Sequence, residues 1–300
     1  MSEASLTHGS VEGAELAPLV PPSSTLGLLS VFRRRYLLKL LVQRELSARY
    51  EQSFLGFLWS YINPLSQFFI YWYIMGTVMG AHRSVENYPV HVFSGLIIVH
   101  FFTETFGAGT RSIVRNKSLV QKMPLPKEMF PVAAMVVSLY HVVPQLLILL
   151  LVCVLTGWHP DLGTLIGGVL ALAILMCFGT ALALVFSVAN VFWRDFGSLV
   201  GILTNFVRFG CTMIYSYDML AQHAGSMRWL VLGNPIAVAC LLFQRAFWAF
   251  STDKPHHTIK HEFPAHLYHQ GVYALIASIV ALLVAQWFFN RFDERIAEQI

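Results

Sequence analysis

The chain has 300 residues, 56% of them hydrophobic and only 12% charged, with a net charge of +4. A soluble domain carries about 25% charged residues, so the polar surface is too small to cover a globule and the apolar excess has to face lipid. The composition therefore points to a membrane protein. The small positive excess is no footprint for nucleic acid, because in such a chain the placement of Lys and Arg matters more than their sum.

In chain order, residues 1–27 read as a disordered leader: Ser, Pro, Gly and Glu dominate and no apolar run of signal-peptide length occurs. From Leu28 to Tyr50, Leu29, Phe32, Tyr36, Leu40 and Leu41 recur at helical spacing among Arg33, Arg34, Arg35 and Lys39, with Arg44 and Arg49 following. This pattern predicts a basic amphipathic helix lying in the membrane interface with its cations on lipid phosphates. The alternative is a cytoplasmic helix packed on the protein.

A helix needs about 20 apolar residues to cross the hydrocarbon core. Stretches of that kind run over residues 54–79, 88–109, 129–156, 162–193, 196–217 and 271–289; Glu104 interrupts the second and Arg208 the fifth. A further apolar stretch, 229–250, contains Gly233, Asn234 and Pro235 and carries Arg245. It is expected to form an external re-entrant helical hairpin rather than a seventh span. The fold class is an all-α membrane protein of about six transmembrane helices. Besides the basic helix, Arg111, Arg115, Lys117, Lys122 and Lys127 follow the second span, Arg194 the fourth, and Arg291 and Arg295 the last, against Arg83 alone in the first opposite loop. The bias places both termini in the cytoplasm.

Cys153, Cys177, Cys211 and Cys240 lie in apolar stretches without metal-ligand spacing and read as small hydrophobes. His256, His257, His261, His266 and His269 cluster after the hairpin without a ligand frame, so a solvated external loop is expected and no metal.

Local motifs go further. Arg44-Glu45-Leu46-Ser47-Ala48-Arg49-Tyr50-Glu51-Gln52-Ser53, then Leu55-Gly56-Phe57-Leu58-Trp59 and Asn63-Pro64, resembles the start of the type-2 ABC permeases of the polysaccharide, O-antigen and teichoic acid export family. Asn116 to Pro131 looks like that family's cytoplasmic coupling segment, Arg194-Asp195 like its turn between spans four and five, and Asn234-Pro235 with Gln244-Arg245 like its external hairpin. The resemblance covers the chain from about residue 28 to the end. One departure is the absence of a proline in Cys211–Tyr217, where family members often carry Ser-Pro or Thr-Pro, which implies a different outer end for span five.

The resemblance implies a homodimeric permease of the bacterial plasma membrane bound to two copies of a nucleotide-binding ATPase subunit and exporting a lipid-linked glycan. This chain has no GxxxxGK[ST], so ATP and Mg belong to the partner and no cofactor to the chain itself. In the coupling segment, Leu119, Met123 and Leu125, with Met129 beyond them, are expected to plug an apolar cleft, and Lys117, Lys122, Lys127 and Glu128 to touch its rim. Aromatic faces suit passage of a sugar chain. Phe54, Tyr61, Phe68 and Trp72 on span one, and Phe206, Phe209, Met213 and Tyr217 on span five, share helical faces and are expected to line the conduit. Glu104 and Arg208 either pair with each other or, through Arg208, meet cargo phosphate. The alternatives are a small-molecule efflux permease of the same superfamily, a polyprenyl-dependent glycosyltransferase, for which no DD, DxD or ExxH run is present, and a purely structural scaffold.

Overall fold

A computed structural model describes residues 27–51, 53–83, 85–123, 125–224 and 228–299. The leader expected over residues 1–27 lies, but for Gly27, outside the described residues. The described residues form helices and no strand. Four helices are long and apolar enough to cross a membrane: α4 (Tyr88–Arg115), α6 (Met129–Leu155), α7 (Leu162–Phe192) and α13 (Leu267–Gln299).

α4 is the enclosed centre of the bundle. Phe93, Ile97, Ile98, Phe101 and Phe102 along it are fully buried, packed against α6 and α7. α13 closes the outer side of α7. Small residues set the spacing. A Cβ on Gly109 of α4 would stand 2.5 Å from Cβ of Ala183 on α7, and one on Gly167 of α7 would stand 3.1 Å from the Leu242 carbonyl oxygen. Hydrogen at these positions lets backbones approach to a distance a methyl group would forbid. Gly201, which completes another G-x-x-x-G spacing, has nothing within 4 Å of a built Cβ; that spacing is no packing seam within the chain.

The basic segment forms two helices, α1 (Leu28–Arg33) and α2 (Arg35–Tyr50), broken at Arg34. α2 packs on α6 through Leu41 and Val42, while Leu29, Phe32, Tyr36 and Leu40 stay exposed beside the cations.

The first expected span, 54–79, is not one α-helix. Phe54 and Leu55 precede a 3-10 turn, Gly56–Leu58; α3 (Trp59–Phe69) follows and passes into a π-helix, Ile70–Val78. The fifth, 196–217, is broken. α8 (Phe196–Gly210) stops, Cys211 turns extended, and α9 (Tyr217–Ala224) begins after the buried break.

α5 (Lys117–Lys122) joins α4 to α6. Beyond α9 lie α10 (Arg228–Leu232) and α11 (Pro235–Phe247), then α12 (Pro255–His261). α11 starts where it does because Pro235 occupies the first turn and Asn234 Oδ1 accepts the Ile236 amide at 3.0 Å. Trp248 Nε1 donates to the Glu86 carbonyl at 2.7 Å and Trp158 Nε1 to the Ala246 carbonyl at 3.2 Å, so α11 seals the end of the bundle where α4 begins and α6 finishes. Asn87 reverses the chain into α4 in the left-handed conformation, φ 47°, held by its amide on Ser251.

Gly109→Ala is expected to destabilise the protein by about 1–3 kcal/mol through overpacking against Ala183. Gly201→Ala in the same helical context is expected to be neutral or to stabilise by up to about 1 kcal/mol through helix propensity. Thermal unfolding of both variants in one detergent reads the contrast.

Candidate functional site

Sequence places Glu104 near the middle of α4, where a carboxylate in an apolar helix has to meet protein or water. Arg49, at the end of α2, donates to Glu104 Oε1. His141 of α6 approaches the same oxygen through Nδ1 at 3.0 Å, and its Nε2 lies 3.0 Å from the Tyr50 hydroxyl. With its proton on Nδ1, His141 donates to Glu104, Tyr50 O–H donates to Nε2, the Ser60 hydroxyl donates to Tyr50 at 2.5 Å, and Arg49, a donor only, bonds to Glu104 and not to Nδ1. Arg49 also stands 2.7 Å from His141 Nδ1. One turn away on each helix, His100 of α4 and Gln145 of α6 join through Nδ1 and Nε2 at 2.8 Å.

These side chains line a cavity of about 340 Å³ between α2, α3, α4 and α6. α3 contributes Trp59, Ser60, Asn63, Pro64 and Gln67. Glu104 Oε2 is buried there without a hydrogen-bond partner. A second cavity of about 300 Å³ shares Arg49 and Glu104 and continues along α2 past Arg44 and Glu45 to Arg115 and Asn116. Along its wall Arg44 donates to Asn116 Oδ1 at 3.0 Å, the Asn116 amide donates to Glu45 Oε1 at 2.9 Å, and Arg115 pairs with Glu45. The two cavities adjoin at Arg49 and Glu104, and the second extends to Arg115 and Asn116 at the end of α4.

The expected roles fare differently. Arg33, Arg35, Lys39, Arg44 and Arg49 are all exposed; of these, Arg44 also donates to Asn116 and Arg49 to Glu104. Glu104 pairs with Arg49 and His141 and not with Arg208, whose Nε is buried and unpartnered on α8.

Of the span-one aromatics, Phe54 is fully exposed ahead of the helix and off its face. Tyr61 meets Phe57, ring centroids 5.7 Å apart; Phe68 packs on Phe93 of α4 at 5.0 Å and stacks with Trp72, which lies in the π-helix. On the other stripe Phe206 and Phe209 are exposed on α8, while Met213 and Tyr217 are buried beyond its end. An α-helical face cannot extend through a segment that is not helical, so these four do not form one stripe.

In the coupling segment Lys117, Lys122 and Met123 are exposed and Leu119 and Leu125 half-buried. Lys127 and Glu128 are not on an open rim. Lys127 Nζ pairs with Asp293 of α13 at 2.8 Å, and Glu128 is buried, accepting from Gln286 Nε2 at 3.1 Å.

Arg245 of α11 donates to the Tyr268 hydroxyl and lies 4.6 Å over its ring, and that hydroxyl donates to the Gly163 carbonyl at 2.9 Å. Gly163 leaves room for both side chains. Among the described residues no three or more His, Cys, Asp or Glu gather as metal ligands; the rings of His257 and His261 lie tilted one turn apart on α12, 4.3 Å between centroids. Beside them burial raises the Glu262 carboxyl above its ordinary range, opposed by a bond from Ser216.

Sequence reasoning missed His100, His141, Gln145 and Gln67, and gave Asn63 only as part of a motif. A signal was present: His100 with Glu104, and His141 with Gln145, are polar pairs at i, i+4 inside otherwise apolar spans, and such pairs share a helix face.

The family model described as ABC-2 type transporter matches residues 36–248. This chain belongs to the ABC-2 type transporter family. The match runs from α2 to the end of α11 and contains every residue lining both cavities. The O-antigen export system permease protein RfbA of Myxococcus xanthus is 29% identical over 271 residues, 90% of this chain and 97% of that protein. Its namesake in Klebsiella pneumoniae is 27% identical, covering 87% of this chain and 94% of its own length. The polysialic acid transport protein KpsM of Escherichia coli is 25% identical over 64% of this chain and 74% of its own length. As an ABC-2 family member with several apolar helices, the chain is a multi-pass membrane protein.

Lys127→Asp or Asp293→Lys alone sets two like, largely buried charges against each other and is expected to lower stability by on the order of 3 kcal/mol; the double exchange is expected to recover much of it, read as a double-mutant cycle by denaturation in detergent. For Glu262, a carboxyl raised in the folded state binds protons better there than in the unfolded chain. Its cost to stability is absent below the unfolded value and complete above the folded one. Glu262→Gln is therefore expected to raise the melting temperature at neutral pH, with the gain vanishing as the pH falls through 4.5, the ordinary value.

Proposed function

We propose that this chain is the membrane-spanning permease subunit of an ATP-driven exporter that moves a lipid-linked polysaccharide across the bacterial plasma membrane. The observation that carries the reading is near full-length similarity to O-antigen export permeases joined to a polar cavity halfway along apolar helices, where a transporter of hydrophilic cargo needs one.

In this reading the chain crosses the membrane six times, the first and fifth passes being the α3–π helix and α8 with its buried break, and both termini face the cytoplasm. α1 and the first half of α2 lie in the interface, with Leu29, Phe32, Tyr36 and Leu40 in lipid and Arg33, Arg34, Arg35 and Lys39 at the headgroups. Two copies assemble through the exposed faces of α3 and α8, so that Phe206, Phe209, Tyr61 and Trp72 border the conduit between them. A separate nucleotide-binding subunit, also in two copies, supplies ATP hydrolysis. Its movement is received by α5, whose Leu119 is half-buried, and by the exposed Met123 that follows it, and is passed on as a rigid-body displacement.

Co-purification of the chain with the ATPase encoded beside it, followed by ATPase assay and by analysis of cell-surface glycan in a strain lacking the chain, tests this. A complex with ATPase activity and loss of surface glycan with intracellular accumulation is the expected result. A chain that purifies without an ATPase, in cells whose surface glycan is intact, would overturn it.

A further inference from the structure

We propose that the cavity enclosed by α2, α3, α4 and α6 within a single copy of the chain is a binding site for one sugar ring of the cargo. The proposal rests on the polysaccharide-exporter reading and adds a defined site to it.

Size comes first. About 340 Å³ lies at the small end of ligand pockets, which run from about 300 to 1,000 Å³. It admits one ring with its substituents and not a folded glycan chain.

The lining chemistry selects the ring. Asn63, Gln67 and Gln145 present planar amides, each able to donate and accept, and His100 offers a ring nitrogen. Neighbouring hydroxyls on a sugar ring both donate and accept, so such groups match them. Trp59, 43% exposed at the lining, supplies an aromatic face for the C–H side of a ring.

Other occupants fit less well. A phosphate calls for several cationic donors; among the described residues Arg49 is the one Lys or Arg at the lining, and the Glu104 carboxylate beside it repels an anion. An acyl chain would leave the Asn63 and Gln67 amides desolvated without partners.

The test uses the full complex in its own host. A photo-crosslinking amino acid replaces Gln67, and in a control replaces Val284, which is exposed on α13. After irradiation the chain is examined for glycan by periodate-based staining and for phospholipid by mass spectrometry. The expected result is a glycan adduct at position 67 and not at 284, reduced about tenfold when Asn63→Leu and Gln145→Leu are added, since two hydrogen bonds are worth about 1–3 kcal/mol. Normal co-purification with the ATPase establishes that the double variant folds. Phospholipid alone at position 67, in cells that still export glycan, would overturn the site and leave the permease reading standing. A glycan adduct undiminished in the double variant would overturn it too. Intact surface glycan in cells lacking the chain would remove the permease reading and the site together.

Discussion

A carboxylate in the middle of an apolar helix has to be answered by protein, because lipid offers it nothing. Glu104 is that carboxylate, and much of the surrounding architecture can be read as its answer. Arg49 reaches it from α2 and His141 from α6. Once Arg49 is so committed, the end of α2 is fixed against the bundle. Tyr50 then falls on His141 and Ser60, and the polar face of α3 is drawn over the same space. The cavity is thus a by-product of satisfying one buried charge with long side chains from neighbouring helices. Chains that reach leave room that chains packed face to face would fill.

The same requirement governs the break after α8. Backbone groups freed by a broken helix need partners wherever water is scarce. Gln244 supplies them: its Nε2 donates to the Thr212 carbonyl at 2.6 Å, and the Thr212 hydroxyl lies 3.4 Å from its Oε1. Gly95 of α4 makes room, since a Cβ there would stand 3.0 Å from Cα of Met213. Gln244 and Arg245, adjacent on α11, therefore divide one task. The first holds the break in place from inside, and the second ties α11 to α7 and α13 through Gly163 and Tyr268.

Long uniform apolar stretches were legible from sequence because a span announces itself by length. α4, α6, α7 and α13 are such stretches. Interruptions were less legible. Cys211–Ser216 is as apolar as its flanks, and nothing local in it says that Gln244, far along the chain, will take over its hydrogen bonds. The π-helix is equally silent: Ile70–Val78 reads as any apolar helix, and the change of period defeats a face drawn by 3.6-residue steps. Charges were ambiguous in another way. Arg44 and Arg49 have the spacing of an interfacial helix, but spacing does not say whether a cation meets lipid phosphate or a buried carboxylate. The i, i+4 pairs His100–Glu104 and His141–Gln145 were visible, and polar residues one turn apart in an apolar span are worth more as a signal than an aromatic stripe. Aromatics are at home in lipid, whereas His and Gln there require a reason.

The anchoring of the segment between α4 and α6 bears on how any force applied there would spread. Its second half is tied down: Lys127 to Asp293 and Glu128 to Gln286, both on α13. Its first half, α5, is exposed and continuous with the end of α4 through Asn116. That asparagine is bonded on one side to Arg44 and on the other to Glu45, both of α2. A displacement of α5 that turns the end of α4 has to move Asn116, and Asn116 cannot move without α2. Since the last turn of α2 carries Arg49, the displacement arrives at Glu104. A cavity wall built from the short α2, rather than from a fourth long apolar helix, can shift without breaking the core that α4, α7 and α13 form behind it.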